Sequence, residues 1–159
     1  MWPDFNNPLT ILEMTAAWRL LVAAVFGAAL GFERSLLGKH AGMRTYALVA
    51  LGSCLFIVGG ELILPWHFGA ALDPTRIAAA VVVGIGFIGS GLALVHRHNG
   101  GGEFTTAAGV WVAAGIGISV GFGLYVLAFA ATAISIGVFT VFLRMENRAR
   151  EKYGVKSGS

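Results

Sequence analysis

From Phe104 to Leu143 the chain carries no charged residue, and this run of forty positions limits what it can become. At about 1.5 Å per residue, one helix of that length would be about twice the ~30 Å thickness of a bilayer's hydrocarbon core. The run must therefore fold back on itself as two membrane-crossing helices. The break falls best at Gly121-Phe122-Gly123, giving helices over residues 105–120 and 124–143. The rest of the chain agrees with a bilayer setting. Only 12% of its 159 residues are charged, about half of what a soluble domain carries. The 23 glycines suit membrane helices whose backbones pack closely.

Three further apolar segments precede that run, over residues 16–32, 45–64 and 77–95. Arg19 lies near the start of the first, where its head can snorkel to the interface. No basic stretch precedes this segment, so it is expected to be a retained helix and not a cleaved signal peptide. Glu61 lies near the end of the second, and Pro65 is expected to stop it. Asp73-Pro74 is a start signal for the third, with Asp as N-cap and Pro at the first helical position. The predicted fold is an all-α integral membrane bundle of about five transmembrane helices over residues 1–143. A short basic tail follows over 144–159.

The cations then fix a direction. Arg34, Lys39 and Arg44 follow the first helix, Arg97 follows the third, and Arg144, Arg148, Arg150, Lys152 and Lys156 lie in the tail. With five spans these nine share one side, and only Arg19 and Arg76 lie on the other. The positive-inside rule then puts the N-terminus outside and the C-terminus in the cytoplasm. Cations set beside apolar runs serve topology and do not suggest nucleic acid. The single cysteine, Cys54, excludes an intramolecular disulfide and a cysteine zinc site. The four histidines are scattered, and His96 and His98 lack further ligands, so no metal site is expected.

Candidate sites stand beside plainer readings. Residues 33–45 collect Glu33, Arg34, Lys39, Gly42, Arg44 and Thr45 between two membrane-length segments. A topology signal explains the cations. It does not explain Glu33 next to Arg34, or Gly42 and Arg44 framing a turn before a helix, an arrangement that can bind anions. Both readings stay open. Asp73 and Arg76 are a cap in one reading; in the other Arg76 pairs with Asp73 or with Glu61. Thr105 and Thr106 are caps or site residues, with Trp111 following. Small residues recur every four positions at Ala23, Gly27 and Gly31, and at Gly109, Ala113, Gly117 and Gly121. Such faces pack helices within a subunit or join two copies. The dense set Gly84, Gly86, Gly89 and Gly91 marks a closely packed helix, or a kink lining a cavity. No nucleophile, base and orienter can be assembled, and no P-loop, GxSxG or HExxH is present, so no enzyme and no cofactor are expected.

Three stretches together resemble the membrane domain of the MgtC/SapB family. They are Gly31-Phe32-Glu33-Arg34 through Lys39, Ala41-Gly42, Arg44-Thr45 and Leu51-Gly52-Ser53; Asp73-Pro74-Thr75-Arg76-Ile77-Ala78-Ala79 with Gly84-Ile85-Gly86-Phe87-Ile88-Gly89; and Thr105-Thr106-Ala107-Ala108 with Trp111 and Tyr125. The resemblance covers roughly residues 15–143. It implies a bacterial inner-membrane protein, with no enzymatic activity, tied to growth at low magnesium, virulence, acid tolerance and intracellular stress. It also implies action on a membrane partner such as the F-type ATP synthase, the alternative being a transporter or channel component for a magnesium-related ion or small solute. A homo-oligomer, with a dimer favoured, is the expected assembly. The sequence departs from the family pattern at Ala80, often Gln, and at Glu103-Phe104, where Gly-Leu is usual. The soluble ACT-like domain that follows in the namesake is not expected here.

Overall fold

The computed structural model describes residues 8–67, 73–95 and 102–153. It contains five α-helices and, among the described residues, no strand. They are α1 (Pro8–Leu36), α2 (Met43–His67), α3 (Pro74–Val95), α4 (Gly102–Gly121) and α5 (Tyr125–Tyr153). All five are long and apolar enough to cross a membrane. The residues from His96 to Gly101, with Arg97 and His98 among them, and Lys156 in the tail lie outside the described residues.

The two described turns end their helices alike. Gly38 and Gly123 have φ of 65° and 76°, the left-handed region where a side chain is strained. The amide of Lys39 bonds Arg34 O (3.0 Å) and that of Gly38 bonds Ser35 O (3.2 Å). At the other turn the amide of Leu124 bonds Ser119 O (2.8 Å) and that of Gly123 bonds Val120 O (2.9 Å). These six-to-one and paired inner bonds satisfy the last carbonyls of α1 and α4. The break expected at residues 121–123 is therefore a glycine-capped helix end.

Several boundaries differ from the sequence expectation, these three among them. α1 starts at Pro8, about two turns before residue 16, with Pro at the first helical position where its missing N–H costs nothing. α2 continues past Pro65 to His67. A proline removes one backbone bond, and membrane helices absorb that locally, most easily near an end. α5 runs unbroken from Tyr125 to Tyr153, so most of the basic tail is a continuation of the last helix. Its 29 residues span about 43 Å and outlast the ~30 Å hydrocarbon core.

α4 touches all four other helices and is the most buried of the five, and α2 packs between it and α1. Tyr46, Ala50, Cys54 and Ile57 are buried, and the two small-residue ladders close on them from either side. A Cβ added at Gly27 of α1 would lie 2.5 Å from Tyr46 O, 2.8 Å from Ala50 Cβ and 2.9 Å from Ala47 Cα. One added at Gly117 of α4 would collide with the Ala50 carbonyl, and one at Gly121 would lie 2.7 Å from Ile57 Cβ. Only glycine allows these backbones so close. The ladders are consumed inside the subunit and are not free to bind a second copy.

α3 is the exception. Only 6% of its apolar window is buried, against 50% for α4. Ile85 is buried and Gly89 approaches Ala107 of α4, but a Cβ at Gly84, Gly86 or Gly91 would meet nothing within 4 Å. The dense glycine set neither breaks the helix nor packs it tightly. Most of it faces outward from the subunit.

Candidate functional site

The charged side chains gather at the two ends of the bundle. At the end where α1 passes into α2, Arg34 lies in the last turn of α1 and is only 4% exposed. Its Nε and Nη2 donate to Glu33 Oε2 at 3.2 and 3.0 Å. Its guanidinium carbon sits 4.0 Å from the centroid of the Phe139 ring of α5. A desolvated cation over an aromatic face contributes about 2 kcal/mol, and a cation suits a helix C-terminus. Arg34 thus ties the end of α1 to α5 while neutralising its own neighbour.

The same end is braced from α4. Tyr46 Oη donates to the Thr106 carbonyl at 3.2 Å, and both residues are buried. A Cβ on Gly109 would lie 2.7 Å from Phe139 Cζ and would strike the Tyr46 hydroxyl. Gly109 therefore leaves room beside α4 for both the Tyr46 and the Phe139 rings. The connection to α2 is fixed by Ser35, whose Oγ accepts from the Met43 amide at 2.7 Å. Gly42 lies against that hydroxyl, where a Cβ has no room. Glu33, Arg34, Gly42 and Thr106 of the sequence candidates therefore belong to one joint. Among the described residues Lys39 joins it only through its backbone bond to Arg34 O.

The other candidates lie apart. Arg44 is exposed and makes no hydrogen bond or ion pair among the described residues. Thr45 lines a groove between α2 and α3, as does Gly84. Thr105 and Trp111 are exposed on α4. Asp73 and Arg76 belong to the opposite end, where α3 begins beside Gly60 and Ile77. Asp73 Oδ1 accepts from the Thr75 hydroxyl (2.7 Å) and the Thr75 amide (2.9 Å), the N-cap read from the sequence. The Thr75 hydroxyl and amide, with help from the Arg76 charge, hold the Asp73 carboxyl below its ordinary value. Asp73 and Arg76 form no ion pair among the described residues.

Glu61 pairs with a different cation. Arg19 Nη1 donates to Glu61 Oε2 at 2.6 Å and to the Gly121 carbonyl at 2.9 Å. One guanidinium thus joins α1, α2 and the C-terminal end of α4. Its Nε is buried without a partner. Sequence reading assigned Arg19 to the interface and missed this pair, although a signal existed. Arg19 lies about 25 Å along α1 from Leu36, and Glu61 about 27 Å along α2 from Met43. In a hairpin of antiparallel helices those equal distances place the two opposite each other. Tyr46, Phe139 and Gly109 were missed because an apolar ring or a glycine in a hydrophobic run looks like ordinary core. Among the described residues no three His, Cys, Asp or Glu side chains cluster closely enough to hold a metal ion.

Five packed apolar helices, tied by an arginine at each end, define a multi-pass α-helical membrane protein. The profile described as the MgtC family matches residues 20–148, and the chain belongs to that family. It is 42% identical over 146 residues to the Putative magnesium transporter YhiD of Escherichia coli K12, covering 87% of this chain and 66% of that protein. It is 43% identical over 115 residues to Protein MgtC of Salmonella typhimurium, covering 72% of this chain and 47% of that protein. Protein SapB of Bacillus subtilis is 34% identical over 116 residues, covering 71% of this chain and 50% of that protein. The chain thus spans about half to two thirds of the length of these relatives. No solved structure matches it.

Proposed function

We propose that this chain is a non-enzymatic protein of the bacterial inner membrane that supports adaptation to low magnesium by binding and modulating a membrane partner. The observation that carries this reading is where the polar groups lie. The ion pairs sit at the bundle's two ends. Between them the hydroxyls of Ser53, Ser119, Thr132 and Ser135 donate to carbonyls four residues back in their own helices, at 2.7 to 2.9 Å. The protons of these hydroxyls are committed within their own helices, and among the described residues no charged side chain lies between the two ends, whereas a transporter coordinates its substrate with polar groups near the bilayer midplane. In this reading the N-terminus is outside, the C-terminus is cytoplasmic, and the Arg34 joint faces the cytoplasm. A homo-oligomer belongs to the same reading, and one face for it is the part of α3 outside the groove it forms with α2, where Val83 and Phe87 are exposed.

The second reading, a magnesium-related transporter, has the name of the Escherichia coli relative in its favour. The test is the purified chain in liposomes containing a magnesium-sensitive dye, run beside growth of a homologue-deficient host in low-magnesium medium. Restored growth without flux supports the partner-binding reading. Protein-dependent magnesium flux overturns it in favour of transport.

A further inference from the structure

The groove between α2 and α3 is not used by either joint. It encloses about 650 Å³, within the range of pockets that hold small molecules. From α2 it is lined by Thr45, Val49, Gly52 and Phe56, and from α3 by Ile77 and Gly84 among others. Gly52 and Gly84 face open space, which gives the trough its width. Ser53 adds no polarity, because its hydroxyl donates to Val49 O at 2.8 Å. From Thr45 to Phe56 the trough runs about 17 Å, a little more than half of the ~30 Å hydrocarbon core. That is the depth of one leaflet.

Its mouth differs from its length. Thr45 stands at the end nearest the start of α2, and Arg44 is the next residue, exposed. Neither the Arg44 guanidinium nor the Thr45 hydroxyl makes a hydrogen bond or ion pair among the described residues. An apolar trough of one-leaflet depth with an uncommitted hydroxyl at its mouth, and an exposed uncommitted cation on the residue just before it, matches one kind of occupant. We propose that this groove holds an acyl chain of an anionic phospholipid from the leaflet on the Arg44 side, with its phosphate against Arg44 and Thr45. A helix from a second copy would fill the trough but would leave the adjacent Arg44 charge unexplained. The proposal does not depend on which side of the membrane that mouth faces.

The experiment uses the full chain reconstituted in phosphatidylglycerol and phosphatidylcholine at equal amounts, then extracted in mild detergent for native mass spectrometry. A phosphatidylglycerol carrying a photoreactive acyl chain is crosslinked in parallel. One retained phosphatidylglycerol is expected, enriched about fivefold over phosphatidylcholine, as one cation near a membrane surface would give. Crosslinks should map to residues 45–56 and 77–88. Arg44→Gln should bring the two lipids to parity. Gly84→Leu, at a position with room for a side chain, should abolish retention while thermal stability is kept or raised. Lipid-free protein, equal retention of both lipids by the unaltered chain, or retention unaffected by Gly84→Leu would overturn the proposal. A Gly84→Cys chain that forms a disulfide dimer across α3 in the membrane would overturn it as well, because a second copy would then occupy the groove.

Discussion

Two glycine-to-alanine substitutions should move stability in opposite directions, because the same added methyl meets different surroundings. At Gly27 the new Cβ would lie 2.5 Å from Tyr46 O, 2.8 Å from Ala50 Cβ and 2.9 Å from Ala47 Cα. All three belong to the backbone or to a side chain that cannot rotate away. Ordinary carbon contacts are about 3.5–4 Å, so α1 and α2 must separate by about 1 Å along their closest seam. Overpacking of this kind costs about 1–3 kcal/mol, which outweighs the gain of up to about 1 kcal/mol from replacing Gly by Ala in a helix. At Gly84 nothing lies within 4 Å of the new methyl. The propensity gain then stands alone, and Gly84→Ala should stabilise by about 0.5–1 kcal/mol. For a chain of this size 1 kcal/mol is worth about 2–4 °C. The assay is loss of helical circular dichroism on heating in one detergent. Gly27→Ala should melt several degrees below the unaltered chain and Gly84→Ala a few degrees above it. A shift of the same sign in both, or a Gly27→Ala chain at least as stable as the original, would refute the packing seen between α1 and α2.

At the Arg34 joint, Arg34→Met leaves the part-buried Glu33 carboxylate without its cation and should destabilise by about 3 kcal/mol, measured by the same melts. Arg34→Lys keeps the charge but not the planar stacking on Phe139 or the two donors, so its loss should be intermediate. At the other end Arg19→Met should cost more than Glu61→Gln, because Arg19 also holds the Gly121 carbonyl while Glu61 is half exposed. Equal losses in those two variants would show that the α4 contact contributes nothing. Asp73 titrates below its ordinary value in the folded chain, so its capping is fully present above the unfolded carboxylate value, about 3.9. That contribution fades as pH falls from there through the lower folded value, and the melting gap between the unaltered chain and Asp73→Ala should narrow over that interval. A reporter fused after Ser159 should read as cytoplasmic and one inserted near Phe68 as external; the reverse pattern would sink the proposed orientation.

The elements were legible because they depend on local and compositional physics. A charge-free run twice the bilayer thickness must fold back, and the Gly123 that turns it could be placed because only glycine readily takes that φ. Asp73-Pro74 was equally readable, since a cap involves residues two or three apart. The ends of α1, α2 and α5 were not. Pro65 is a breaker in water, but membrane helices tolerate it, and nothing apolar marks where a charged extension such as residues 144–153 stops being helical. The glycines divide in an instructive way. Gly27, Gly117 and Gly84 look alike in sequence, yet the first two touch α2 and the third touches nothing, because that outcome depends on which helices are neighbours.

The charged residues show the same limit more sharply. In the sequence Glu61 was offered Arg76, its nearest external cation in the chain, and took Arg19, 42 positions away. Sequence distance is a poor guide where an antiparallel hairpin sets the pairing. Arg34 and Glu33 were singled out together, but what makes them a joint is Phe139, more than a hundred positions away, and the absence of a side chain at Gly109. Each arginine is held by what a neighbouring helix presents: a carboxylate and a helix-end carbonyl for Arg19, an aromatic face for Arg34. Arg44, two residues before the buried Tyr46 in α2's first turn, has no such partner among the described residues. A cation that the subunit leaves unpaired beside an apolar trough is therefore a better candidate for binding from outside than either arginine already committed within the bundle.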